Sequence, residues 1–385
     1  MRQLICYIAL ITGLGLSSCV DRYTPEVAPA EQSNLVVDGF INPQGRTSIK
    51  LSRTFSVNTK NTAPAETRAQ VAIQDDAGQR YGLPETAPGT YTSAALTLSP
   101  ARQYQVRITT SQGREYASEL TPVVVTPPIE ALTWQLTPEE GIQIYLTTRA
   151  TDAAARFYHW EYDETYQFTS AFESTIEYVP ATNRIRPRGA SIFRCWRTEF
   201  STAILQSNTT QLSQNALIDY PLLLVLPNNK LRLGYSLLVR QYAQTQAEYE
   251  YWERLRKNTE NLGTVNDPLP GRVTGNVHAL GDAQEPVLGY VGAHSVTEKR
   301  LFVDGAQFPT PRPGSVFFDP AYANCTQIER MTLALSLQQF KIGAYVPVQP
   351  VVSVATGDTV GTTLSSPDCV DCRLRGTNVK PIFWP

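Results

Sequence analysis

The stretch Tyr104-Gln105-Val106-Arg107-Ile108 places an apolar side chain at every second position and then runs into Ser111-Gln112-Gly113. A period of two sets Tyr104, Val106 and Ile108 on one face of a strand, and the glycine turn ends it. The same pattern recurs upstream. Leu35-Val36-Val37-Asp38-Gly39-Phe40-Ile41 precedes a Pro43-Gln44-Gly45 turn, after which Ile49, Leu51 and Phe55 alternate with polar residues. Val71-Ala72-Ile73 enters the hairpin turn Asp75-Asp76-Ala77-Gly78, and Gly89-Thr90-Tyr91 precedes a strand with Leu96 and Leu98. Short strands at regular spacing, separated by turn residues, predict a small β-sandwich over residues 34–126.

The order Gly-x-Tyr, then Tyr-x-Val-x-Ile, then a glycine turn and Tyr116 resembles the immunoglobulin-like modules of bacterial surfaces, a likeness that implies architecture and no chemistry. Thr126-Pro127-Pro128 marks a boundary near residue 127, because consecutive prolines stiffen a linker and cannot donate to a ladder. A second β region follows, with Leu132 and Trp134 and then an alternating Ile142, Ile144 and Leu146. In Phe157-Tyr158-His159-Trp160-Glu161-Tyr162, the residues Tyr158, Trp160 and Tyr162 share a face, expected to be half of a sandwich core rather than a sugar or peptide platform. Tyr220-Pro221-Leu222-Leu223-Leu224-Val225-Leu226-Pro227 reads as a buried strand.

One helix interrupts the pattern. Thr245-Gln246-Ala247-Glu248 has the form of a capping box, Tyr249, Trp252 and Leu255 follow at helical spacing with Ala247 beside them, and Gly263 stands where a stop is expected. The chain then returns to β pattern in Val287-Leu288-Gly289-Tyr290-Val291 and Arg300-Leu301-Phe302-Val303. The expected fold is mainly β: an immunoglobulin-like β-sandwich at 34–126, then a larger, β-sandwich-like domain at 127–385 with one capping helix near 245–261.

Residues 1–18 read as a lipoprotein signal peptide. Arg2 gives a positive start, and the apolar stretch from Leu4 to Leu16 falls short of the roughly 20 residues a membrane span needs. Leu16-Ser17-Ser18-Cys19 matches the lipobox, in which small residues admit the peptidase and the cysteine thiol takes the lipid. Cys19 is therefore the expected lipid attachment residue, and residues 19–33, with Pro25 and Pro29, a tether. The balance of 33 Lys+Arg against 35 Asp+Glu, without basic clusters, argues against nucleic acid as a partner.

Of six cysteines, Cys6 leaves with the signal and Cys19 carries the lipid, so Cys195, Cys325, Cys369 and Cys372 remain in an oxidising compartment. Two structural disulfides are expected there. A bridge within Cys369-Val370-Asp371-Cys372 would close a small, reducible ring, which favours links from Cys195 and Cys325 to that pair, in an order left open. The same spacing also fits a zinc half-site or a redox pair.

The three histidines, His159, His278 and His294, lie too far apart for a zincin helix, and neither a Gly-x-Ser-x-Gly elbow nor a P-loop occurs. Distant residues can still converge on a triad, which keeps a hydrolase among the alternatives. Glu161, Asp163 and Glu164 are read as a solvated strand edge rather than a glycosidase pair. No catalytic residue, cofactor or metal ligand is assigned.

Several ordered segments resemble a family of Bacteroidota outer-membrane lipoproteins known as domain of unknown function 4249. They are Leu35-Val36-Val37-Asp38-Gly39, Arg194-Cys195-Trp196, Tyr235-Ser236-Leu237-Leu238-Val239-Arg240-Gln241-Tyr242, Ala247-Glu248-Tyr249-Glu250-Tyr251-Trp252, Gly275-Asn276-Val277, Val287-Leu288-Gly289-Tyr290-Val291 and Cys369-Val370-Asp371-Cys372-Arg373. The resemblance implies location and company: a non-catalytic binding or assembly accessory of a TonB-dependent outer-membrane transporter, held by its lipid on a membrane face left open. The alternatives are an extracytoplasmic hydrolase and a metal-binding lipoprotein using Cys195, Cys325, Cys369 and Cys372. Replacing the anchor, Cys19→Ala, should move the protein from the membrane fraction to the soluble one on fractionation; full retention in the membrane would count against lipid anchoring at this residue.

Overall fold

The computed structural model describes residues 33–55, 63–139, 141–260, 273–308 and 319–385; the expected leader, Cys19, the tether up to residue 32 and Gly263 lie outside them. The first sandwich has one sheet in the order Leu35–Phe40, Ser48–Arg53, Thr90–Thr92, Glu85–Ala87. The facing sheet runs Val277–Ala279, Glu115–Ser118, Gln103–Thr109, Gln70–Asp75, Arg80–Leu83. Tyr104, Val106 and Ile108 are buried against Leu35, Val37, Ile49 and Leu51, as the alternation requires. The Asp75 carboxylate accepts hydrogen bonds from the Ala77 and Gln79 amides and so builds the hairpin turn.

The second sandwich opposes a three-stranded sheet, Ile129–Leu136, Ile142–Arg149 and Ala216–Val225, to a sheet ordered Arg194–Phe200, Phe157–Thr169, Gly234–Gln244, Val296–Asp304. Tyr158 and Trp160 are fully buried between them and Tyr162 is packed at their side. The expectation of a buried strand at 220–227 needs correction. Ala216–Val225 is an edge strand with its outer side open to solvent, and its pairing shifts register between Ile144 and Tyr145, so Leu222 and Val225 are buried, whereas Leu224 is 51% and Leu226, just beyond the strand, 61% exposed. Pro221, which has no amide hydrogen to give, suits that edge.

At the C-terminus, Ile328–Thr332, Thr359–Ser365 and Val346–Val352 form a small sheet beside a helix, Leu333–Lys341. That helix had no local signal, since Thr332 makes no side-chain cap. Disulfide Cys195–Cys372 ties this region to the second sandwich and Cys325–Cys369 closes a loop within it, in the long-range pattern the spacing favoured. All four sulfurs are thereby used, which leaves the alternative thiolate metal site without ligands. With 177 and 44 residues between the partners, the chain-entropy model assigns about 5 and about 4 kcal/mol to the two links. Among the described residues no helix is long and apolar enough to cross a membrane.

The chain does not divide cleanly at residue 127. Val277–Ala279 pairs with Glu115–Ser118, and Val277, Val287, Val291 and Ala293 belong to the core of the first sandwich, although the sequence division assigned them to the second domain. The segment after residue 286 threads in parallel between the first strand and residues 123–124. Val37 donates to Leu288 and Ile41 to Gly292, both at 2.8 Å, while Val124 donates to Ala293 at 2.9 Å. Local alternation cannot announce such a return, because it states which face is buried and not which sheet receives it.

Close backbone approach makes Gly289 indispensable to this return. Its φ is +114°, and a Cβ there would stand 1.8 Å from the Val37 carbonyl oxygen. Gly113 also has positive φ, at +79°, but a Cβ there meets nothing within 4 Å. Gly113→Ala should therefore cost about 1–2 kcal/mol of backbone strain, and Gly289→Ala about 3 kcal/mol or more because strain and clash combine. Urea unfolding of the two variants checks this, and equal losses would show that the Val37 contact is not constraining.

Candidate functional site

The strand Phe157–Thr169 turns Tyr158 and Trp160 into the core, so His159 and Glu161 face the other way. Its neighbour pairs Tyr242 with His159 and likewise presents Tyr242 and Gln244 on that outer face. The helix Gln246–Glu260 covers part of it, and the returning segment brings Tyr290 and His294. With Asp38 and Phe40 from the first sandwich, these elements enclose a cleft of about 150 Å³ at the junction of the two sandwiches. A larger space of about 580 Å³ lies at the first sandwich, but its arginines Arg53 and Arg114 are already paired with Glu66 and Glu285.

The helix N-terminus shapes the cleft floor. Thr245 Oγ1 accepts a hydrogen bond from the Glu248 amide at 3.2 Å, the expected half of the box. The Glu248 carboxylate turns inward instead of completing it: Oε1 accepts from Gln244 at 3.2 Å and lies 3.2 Å from His294 Nε2. This rotates the buried face away from the expected one. Glu248 and Tyr251 are buried, Trp252 and Leu255 are half-buried, and Ala247 is exposed. Gly292 packs beneath the carboxylate, where a Cβ would collide with Glu248 Oε2 at 2.1 Å.

Aromatic rings line the walls. His159 stacks on Trp252 with centroids 5.3 Å apart, and His294 stacks on Phe40 at 4.4 Å. The Tyr242 hydroxyl donates to Glu161 Oε2 at 2.8 Å, and burial, then the Glu161 charge, keeps that hydroxyl protonated. Burial also pushes the His159 pKa down to about 4; Glu248 pulls it up without offsetting the desolvation, and His294 adds to the lowering. His278 stands elsewhere, exposed beside Glu119.

The carboxylate trio is split by the strand. Glu161 lines the cleft, Asp163 on the same face binds the Arg240 guanidinium, and Glu164 on the opposite face accepts from Lys230 and Tyr235, each at 2.8 Å. None of the paired cysteines lines the cleft. Among the described residues no group of three or more His, Cys, Asp or Glu side chains is arranged to hold a metal ion. Sequence reasoning missed His159 and His294 as neighbours, since 135 positions separate them. The available signal lay in the resembling segments: Asp38, Tyr242, Glu248, Trp252 and Tyr290 all come from them and all line this cleft.

A histidine held neutral by burial makes stability depend on pH. Its folded pKa lies below the unfolded value near 6.5, so its contribution is complete above about pH 6.5 and is lost as pH falls toward 4. The loss amounts to about 3 kcal/mol. His159→Phe, which keeps a ring against Trp252, should unfold with a flatter pH profile over that window in thermal melts; parallel profiles would show that His159 titrates normally.

The family model for Domain of unknown function (DUF4249) matches residues 20–300. No curated protein matches. A two-domain fibronectin type III segment of chicken tenascin is similar at 12% identity, over 54% of this chain and 90% of that one, with a TM-score of 0.16. The FN1–FN3 domains of chicken CNTN1 give 12% identity over 54% and 62%, with a TM-score of 0.19. Scores this low carry no argument. The matched span takes in both sandwiches and every residue that lines the junction cleft, and the chain is a member of the DUF4249 family.

Proposed function

We propose that this protein is a lipid-anchored binding and assembly accessory of a TonB-dependent outer-membrane transporter, and that it engages its ligand or partner through the junction cleft. The observation that supports this reading most is the convergence of both sandwiches and the helix on one recessed, aromatic-walled space. The surrounding hydrogen bonds hold that space in shape before any ligand arrives. The Gln241 side chain donates to the Pro127 carbonyl at 2.9 Å and to Thr148 at 3.0 Å, and accepts from Trp160 at 2.9 Å. Thr126 and Ser295 bond to each other, so the proline linker is pinned rather than free. A preformed site avoids the ordering cost of binding.

The resemblance to outer-membrane lipoproteins supplies the partner class. A tether of residues 19–33 can extend at most about 50 Å, which would keep the sandwiches beside whatever is embedded in the same membrane, a transporter included.

The reading is tested by crosslinking intact outer membranes, solubilising them gently and recovering the lipoprotein through an affinity tag. A TonB-dependent transporter should co-purify in near-equal amount. Recovery of the lipoprotein alone would overturn the proposed partnership.

A further inference from the structure

The junction cleft has walls and charges that favour one class of ligand. Its carboxylates are Asp38, Glu161 and Glu248, and among the described residues no lysine or arginine lines it. Lys50 stands opposite Asp38 in the strand pair but lines the adjoining cleft. Arg240, directly opposite Glu161 in the strand pair, is committed to Asp163 and Glu298. Glu248 is the decisive group. It is 3% exposed, and its Oε2 has no hydrogen-bond partner among the described residues. A buried carboxylate with an unsatisfied oxygen is costly, and the cost is relieved by a donor that also brings positive charge.

The walls suit the same occupant. Phe40, Tyr242, Trp252 and Tyr290 surround the space, and aromatic faces attract cations through the ring quadrupole. His159, buried at one wall, is uncharged at neutral pH and does not compensate the carboxylates. About 150 Å³ is below the roughly 300–1,000 Å³ of sites that take a whole drug-sized ligand. It admits the end of one. A neutral hydroxyl could satisfy the free oxygen of Glu248, but it would bring no charge to set against three carboxylates that have only the His294 ring, 3.2 Å from Glu248 Oε1, as a basic group beside the uncharged His159 in the cleft.

We propose that the cleft receives an organic cation, an ammonium or guanidinium head on a slender stem, with Glu248 at the floor, Glu161 at the rim and the aromatic rings around the head. This rests on the cleft being the binding site, and not on the identity of the transporter. The head has two sources with the same chemistry: a lysine or arginine side chain of a protein partner, or a free small amine.

Calorimetric titration of the detergent-solubilised full-length protein tests this with n-butylammonium, its neutral isostere butan-1-ol, N-acetyl-lysine amide, N-acetyl-arginine amide, butyrate and glucose. The cations should bind at least about tenfold more tightly than the neutral isostere. Glu248→Gln should remove most of that preference and Glu161→Gln part of it. If Glu248→Gln fails to fold, the comparison of n-butylammonium with its isostere on the unaltered protein still decides. Stronger binding of the blocked amino acids assigns the head to a protein partner, and stronger binding of n-butylammonium assigns it to a free amine. Equal affinity for cation and isostere, preference for butyrate or glucose, or dissociation constants above roughly 50 mM for every cation would overturn the inference. A transporter recovered without cation binding would leave the accessory reading intact and remove this one; cation binding without a transporter would do the reverse.

Discussion

Everything at the centre of this molecule depends on one stretch of backbone shared by two sandwiches. Residues 287–294 hydrogen-bond into the first sandwich, and Val296–Asp304 continues at once as an edge strand of the second. Backbone amides and carbonyls buried at such a crossing must be paired, so neither sandwich can shift without breaking bonds in the other. The Asn276 side chain reinforces the return, accepting from the Val291 amide at 2.8 Å and donating to its carbonyl at 3.0 Å. Glycines at 275 and 289 permit the approach, since a Cβ on Gly275 would lie 1.6 Å from the Gly289 oxygen.

A rigid crossing creates the cleft and also its strain. The helix starts where the two sandwiches meet, and its first turn directs Glu248 into a space shared with two buried histidines. The positive end of a 15-residue helix favours a carboxylate in its first turn, an effect worth about 0.3–1 kcal/mol at the surface and up to about 2 where partly buried. Hydrogen bonds from Gln244 and His294 offset more of the burial cost, yet one oxygen stays unsatisfied. Stability and the proposed recognition are thus in tension at the same residue.

Much of the architecture was legible in local pattern. Tyr104, Val106 and Ile108 announce an inward strand face, Tyr158 and Trp160 announce another, and the Asp75 turn behaves as its residues require. The helix was legible as well, but its phase was not: Thr245 caps it as read, while the pull of His294 and Gln244 on Glu248 turns the buried face toward Tyr251 and leaves Ala247 outside. The apolar run around Leu224 misled because the sheet that carries it is covered on only one face.

The sequence by itself determined the β character, the two sandwiches, the helix start and the long-range linking of Cys195 and Cys325 to the C-terminal cysteine pair, because periodicity, capping and ring size act over a few neighbouring residues. It also carried, in scattered segments, several of the residues that line the cleft, Asp38, Tyr242, Glu248, Trp252 and Tyr290 among them. Only the tertiary structure decided that residues 277–293 complete the first sandwich, and that His159, Glu248 and His294 meet beside Phe40 and Trp252. That choice depends on which sheet edge accepts a strand and which outer face a helix covers, and those are properties of assembled surfaces that no local period encodes.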